Sequence, residues 1–184
     1  VSATLDITSA GAVTDSGTLA ITGVTTISAS GQDITLDDAS STFGTLALTG
    51  ANVAVTEAAA TDLGTSTVSG TLGITSTGAV TDSGTLAITG ATTISASGQD
   101  ITLSETASTF GTISVTGANV AITEAAATEL GASTVSGTLD ITSTGAITDS
   151  GTLAITGDAT FTNSEGTDEA ITLDDSGNVF TGSV

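Results

Sequence analysis

The only side chains in this 184-residue chain that ionise are its 20 acids, so its chemistry is confined to carboxylates, hydroxyls and backbone groups. Asp37-Asp38 and Asp174-Asp175 are adjacent pairs, and Glu165, Asp168 and Glu169 crowd one short stretch. Two carboxyl groups flanking a bond are what a glycosidase uses, which raises the alternative of a polysaccharide-active β-helix enzyme. Clustered oxygens are also what a hard cation such as calcium takes, about six to eight at a time. Asp37, Asp38, Asp174, Asp175, Glu165, Asp168 and Glu169 are therefore the calcium candidates. Neither an EF-hand loop nor the Gly-Gly-x-Gly-x-Asp nonapeptide of calcium-binding β-rolls accompanies them.

Most of the acids recur. Asp15, Asp82 and Asp149 hold one repeated position, as Asp33/Asp100 and Glu57/Glu124 do two others. An active site needs one preorganised constellation, whereas these acids are spread over every repeat. The expectation is a chain that is not an enzyme, with no catalytic residue and no resident cofactor. Its acids then serve to keep β-rich segments soluble and apart.

The missing residues narrow the options further. With no Lys, Arg or His, nothing neutralises phosphates, so nucleic acid is not an expected partner. A P-loop and a Ser-His-Asp triad are both impossible, and without Cys or His so is a Cys/His zinc site. No apolar run is long enough for a membrane span.

The elements that position the acids follow from a copy about 67 residues long, with boundaries at 1–67, 68–134 and a partial 135–184. Val1-Ser2-Ala3-Thr4-Leu5 returns as Val68-Ser69-Gly70-Thr71-Leu72 and as Val135-Ser136-Gly137-Thr138-Leu139. The third copy carries about three extra residues between Phe161 and Ile171. Within each copy apolar and polar residues alternate, as in Leu5/Ile7, Leu19/Ile21, Ile34/Leu36 and Leu46/Leu48, the period-2 mark of strands with one buried face. Glycines between the runs give the backbone freedom to turn corners. Glu57-Ala58-Ala59-Ala60 and Glu124-Ala125-Ala126-Ala127 have helical composition but are too short to stand alone, so they are read as corners.

Aromatics are limited to Phe43, Phe110, Phe161 and Phe180, and a thin Val/Ile/Leu/Ala core suits a narrow rod. Short strands with small-residue corners predict an all-β β-helix (β-solenoid) of about eight coils of roughly 22 residues. That division gives three coils per repeat and sets equivalent acids roughly 14 Å apart along the rod. Alternating Thr residues raise the alternative of an ice- or mineral-binding face, which requires a regular Thr array on every coil.

Residues 11–23 (GAVTDSGTLAITG), 33–44 (DITLDDASSTFG) and 49–58 (TGANVAVTEA) resemble repeats of filamentous-haemagglutinin-like giant surface proteins of Gram-negative bacteria. The resemblance covers essentially the whole chain. It implies a right-handed parallel β-helix, secretion, an extracellular location at the bacterial cell surface, and a role as an adhesin stalk or fibre within a much longer protein. The partners it points to are neighbouring repeats or further copies in filaments, and glycans of a host or partner cell.

Overall fold

The computed structural model describes residues 4–165 and 169–184. The described residues form 23 short strands and no helix, so none is long and apolar enough to cross a membrane. All strand pairs are parallel and build two sheets, of 11 and 12 strands. Along the first sheet the path runs Leu5–Thr8, Val24–Ser28, Thr45–Gly50, Thr61–Leu63, Val80–Asp82, Ile101–Leu103, Val120–Glu124, Leu139–Ser143 and Ala159–Asn163. The second sheet interleaves with it in sequence: Val13–Thr14, Ile34–Leu36, Val53–Glu57, Leu72–Ser76, Thr92–Ser95, Thr112–Gly117, Thr128–Leu130, Ile147–Asp149 and Ile171–Thr172. The chain therefore winds from one sheet to the other and back, one rung at a time. This is the expected β-solenoid of about eight turns, near 40 Å long at the ~4.8 Å spacing of paired strands.

The coil itself is shorter than the roughly 22 residues expected. Leu5 and Leu139 are equivalent residues two copies apart, and both lie in the first sheet, seven steps from each other. Two copies thus make seven coils and one copy three and a half, which sets the mean coil at roughly 19 residues. Leu72, the copy between, lies accordingly in the second sheet. The three-coil division is corrected on this point, for a physical reason: coil length is not constant. Thr45 pairs with Asp62, a short step along the chain, whereas Val80 pairs with Ile101, a longer one. A long corner in one coil is offset by a short one in the next. Each copy repeats the previous one turned by half a revolution, about 17 Å further along the rod.

Inside, Ile27, Leu46, Leu48, Ile74, Ile94, Ile101, Ile113 and Ile122 are at most 2 % exposed, and alternation sends their neighbours outward. Positive φ occurs, among the described residues, only at Gly31 and Gly98, at 72° and 74°. Most other glycines answer a different need from the corner flexibility expected of them. A Cβ on Gly90 would lie 2.5 Å from the Gly70 carbonyl oxygen, and one on Gly157 2.5 Å from that of Gly137. These corners stack backbone on backbone, and only hydrogen fits between. The Glu57 and Glu124 corners are bends, as expected. In the third copy the step from Ile147 to its partner Ile171 is longer than that from Val13 to Ile34.

Not every inward position is apolar. Thr25 and Thr92, equivalent residues on opposite sheets, are 0 % and 1 % exposed, and neither hydroxyl has a hydrogen-bond partner. In the third copy Ala159 fills this position. A buried hydroxyl without a partner costs roughly 1–3 kcal/mol. Thr92→Val keeps the shape and removes that cost, so it should raise stability by about 1 kcal/mol in urea unfolding.

Candidate functional site

Many of the acids sit at the corners, and coil-to-coil bonding accounts for the recurrent aspartates among them. Asp15, Asp82 and Asp149 each end or follow a strand and reach the corner of the next coil. There each accepts two successive backbone N–H groups, one per carboxylate oxygen. Asp15 takes those of Asp37 and Asp38 at 3.2 and 3.4 Å, and Asp82 those of Ser104 and Glu105 at 2.8 and 3.2 Å. Asp149 takes those of Asp174 and Asp175 at 3.0 and 3.4 Å. The candidate pairs Asp37-Asp38 and Asp174-Asp175 are thus equivalent residues in the first and third copies, each bound through its backbone to an earlier aspartate.

Their side chains serve the corner as well. Asp38 Oδ1 accepts from the Ser40 N–H at 2.9 Å and the Thr18 hydroxyl at 3.2 Å. Asp175 Oδ1 accepts from the Gly177 N–H at 2.8 Å and the Thr152 hydroxyl at 3.3 Å. Glu165 and Glu169 are exposed beside the insertion, and Asp168 lies outside the described residues. Among the described residues no three acids come together in a group able to hold a metal ion. The two aspartate pairs lie in different copies, near opposite ends of the rod.

Asn178 shows how the third copy differs. At this position Ser41 and Ser108 accept the N–H of Leu19 and Leu86 through their hydroxyls, at 2.9 and 3.0 Å. Asn178 does the same for Leu153 at 2.8 Å, and its longer side chain also donates from Nδ2 to Asp149. Burial opposes the ionisation of Asp149, but the bonds from Asn178 and from the Asp174 and Asp175 N–H groups outweigh it. They hold this carboxyl below the usual aspartate range.

A second set runs across three coils. Asp33 Oδ1 accepts from both the backbone N–H and the side-chain amide of Asn52, at 3.1 and 2.9 Å. Asn52 Oδ1 in turn accepts from the Thr71 N–H at 3.1 Å and its hydroxyl at 3.2 Å. Asp100, Asn119 and Thr138 repeat the set on the opposite sheet. Asp62 also links three coils, accepting from the Thr45 and Ser83 hydroxyls at 2.8 Å each. Sequence reasoning missed Asn52 and Asn119; the signal lay in their recurrence at one fixed interval after Asp33 and Asp100, an interval equal to one coil.

The remaining acids and threonines define the outer faces. In register along the first sheet stand Thr45, Asp62, Thr81, Thr102, Ala121, Asp140 and Thr160. Along the second sheet run Thr14, Thr35, Ala54, Gly73, Thr93 and Ser114. Asp and Ala interrupt the first column and Ala, Gly and Ser the second, so neither carries the unbroken Thr array that an ice-binding face requires. Asp62 and Asp140 stand four steps apart, about 19 Å, well beyond the ~8 Å screening length of physiological salt. Open cavities of about 450 and 350 Å³ lie at the two ends of the core; they are lined mainly by aliphatic and aromatic side chains such as Leu5, Ile7 and Val13 at one end and Phe161 and Leu173 at the other.

These features define a class, the parallel β-solenoid built from tandem repeats. The chain belongs to the family described as repeats of unknown function (DUF5649), whose model matches residues 1–49, 50–116 and 117–184. No curated protein and no solved structure matches it.

Because its folded value is depressed, the contribution of Asp149 is complete above the ordinary aspartate range and is lost as pH falls below that range through the folded value. Asp149→Ala should therefore destabilise the protein at neutral pH by about 1 kcal/mol or less, since solvent screens this surface carboxylate, read by urea unfolding, and by less in acid.

Proposed function

We propose that this chain is a structural repeat segment of an extracellular surface fibre or adhesin stalk, which projects from or coats a bacterial cell and supports attachment. The observation that carries the reading is the use of the repeated acids. Asp15, Asp82 and Asp149, Asp33 and Asp100, and Asp62 each accept hydrogen bonds from an adjacent coil. Such bonds lengthen a rod and leave no single constellation for a reaction, so the chain acts mechanically and not as an enzyme.

The resemblance of residues 11–23, 33–44 and 49–58 to filamentous-haemagglutinin-like repeats supports the surface location. Attachment then resides in weak, multiple contacts along the rod or in other parts of the protein. The partners are further repeats, other copies in filaments, and glycans of the opposing cell. Calcium and other divalent ions act as loose screening of the carboxylates.

Proteins with added copies of residues 68–134 test the mechanical part. Small-angle scattering should show the maximum dimension growing by about 17 Å per copy at constant cross-section. Growth in cross-section instead would contradict it. Antibodies against residues 68–134 should label intact cells of the source bacterium, and labelling only after lysis would overturn the surface assignment.

A further inference from the structure

Two glutamates stand apart from the surface acids. Glu57 ends the strand Val53–Glu57 in the second sheet, and Glu124 ends Val120–Glu124 in the first, half a revolution away. Each is 1 % exposed. The Oε1 of each accepts a backbone N–H at its own corner from the rung before, that of Phe43 and Phe110 respectively, both at 2.8 Å, where the Ala58 and Ala125 N–H groups also reach the Ser41 and Ser108 carbonyls. Phe43 and Phe110 lie just before the strands that begin those coils, Thr45–Gly50 and Thr112–Gly117, so each carboxyl joins the end of a coil to its start.

The second oxygen faces the coil that follows. In Glu124 it lies 2.8 Å from the hydroxyl of Thr128, itself 1 % exposed. At the equivalent corner Glu57 Oε2 and Thr61 Oγ1 are both buried without a well-formed partner. Burial is the dominant influence on both glutamates and pushes them above the usual range, against the opposing pull of the Phe43 or Phe110 N–H and the Thr61 or Thr128 hydroxyl.

Nothing in the chain can neutralise these two groups as anions. It contains no Lys, Arg or His. The titratable groups on the corners packed around Glu57 are Asp38, Asp62 and Asp82, and those around Glu124 are Glu105, Glu129 and Asp149. All are acidic. Asp38, Asp62, Asp82 and Asp149 direct their oxygens to other partners: the Thr18 hydroxyl and Ser40 N–H, the Thr45 and Ser83 hydroxyls, and backbone N–H groups. An unpaired buried carboxylate is costly enough that the group takes up a proton instead.

We infer that Glu57 and Glu124 are acid latches: each closes its coil as a neutral carboxylic acid, its carbonyl oxygen accepting the phenylalanine N–H and its O–H donating to the threonine hydroxyl, and ionisation at higher pH opens the closure. One latch lies in each complete copy, on alternating faces. Since the folded form holds the proton more tightly than the unfolded, the stabilisation is complete below the ordinary glutamate range and is lost as pH rises through the folded value.

Carboxyl-13C NMR of glutamate-labelled protein tests this directly, because the chain has only six glutamates. Two resonances should titrate at higher pH than the other four, and Glu57→Gln with Glu124→Gln should remove those two. Six overlapping titrations would overturn the inference. The double variant also places an amide where the neutral acid stands. Its melting temperature should match the parent in acid and exceed it increasingly as pH rises; the other acids are common to both proteins and cancel. A difference that does not change with pH would contradict the latch. If the double variant fails to fold, the titration of the parent protein alone decides.

Discussion

Each coil is held to the next by parallel backbone hydrogen bonds, and those bonds persist only while successive coils stay in register about 4.8 Å apart. The rest of the structure follows from keeping that distance. Gly90 above Gly70 and Gly157 above Gly137 admit nothing larger than hydrogen at corners where backbone meets backbone. Many of the side chains that bridge coils sit at corners, where the strand ladder stops. Asp15, Asp82 and Asp149 continue the ladder there by accepting two N–H groups each. A terminal coil has only half of these bonds and a lone coil none, which is why such folds exist as arrays.

The half-revolution between copies resolves a tension in the composition. A chain whose ionisable side chains are all acidic repels itself along any face where identical charged residues line up. Turning each copy through half a coil sends equivalent acids to opposite sheets. Asp15 and Asp149 share a sheet, but seven rungs, about 34 Å, separate them, while Asp82 lies on the other side. The inward positions are not disturbed by the turn, because both sheets bury the same Leu, Ile and Val types. A single sequence thus builds two nearly identical faces.

The strands were legible because alternation such as Leu5-Asp6-Ile7-Thr8 marks one buried face regardless of what stacks on it. The coil length was not, since it depends on how corners compensate each other. Short steps such as Thr45 to Asp62 and long ones such as Val80 to Ile101 average to a value no local motif displays. The acid pairs at Asp37-Asp38 and Asp174-Asp175 stood out by composition, yet their backbone partners lie a coil away, beyond the reach of local spacing. Glu57 and Glu124 read only as recurrent acids at alanine-rich corners. Their burial arises because the corner folds inward, which the neighbouring alanines permit but do not announce. Asn52 and Asn119 became visible once the step from Asp33 to Asn52 could be recognised as a coil.

The register of the coils is tested most directly by pairs of introduced cysteines, since the chain has none of its own. Thr81 and Thr102 stand opposite each other on neighbouring rungs of the first sheet, whereas Thr148, the copy of Thr81, lies in the second sheet. The measurement is the yield of intramolecular disulfide on mild oxidation of Thr81→Cys/Thr102→Cys and Thr81→Cys/Thr148→Cys. Adjacent strands bring Cα atoms within the roughly 4.4–6.8 Å that a disulfide spans. The first pair should close and the second should not. Closure of the second pair, or failure of the first in folded protein, would contradict a rod that turns half a revolution with every copy.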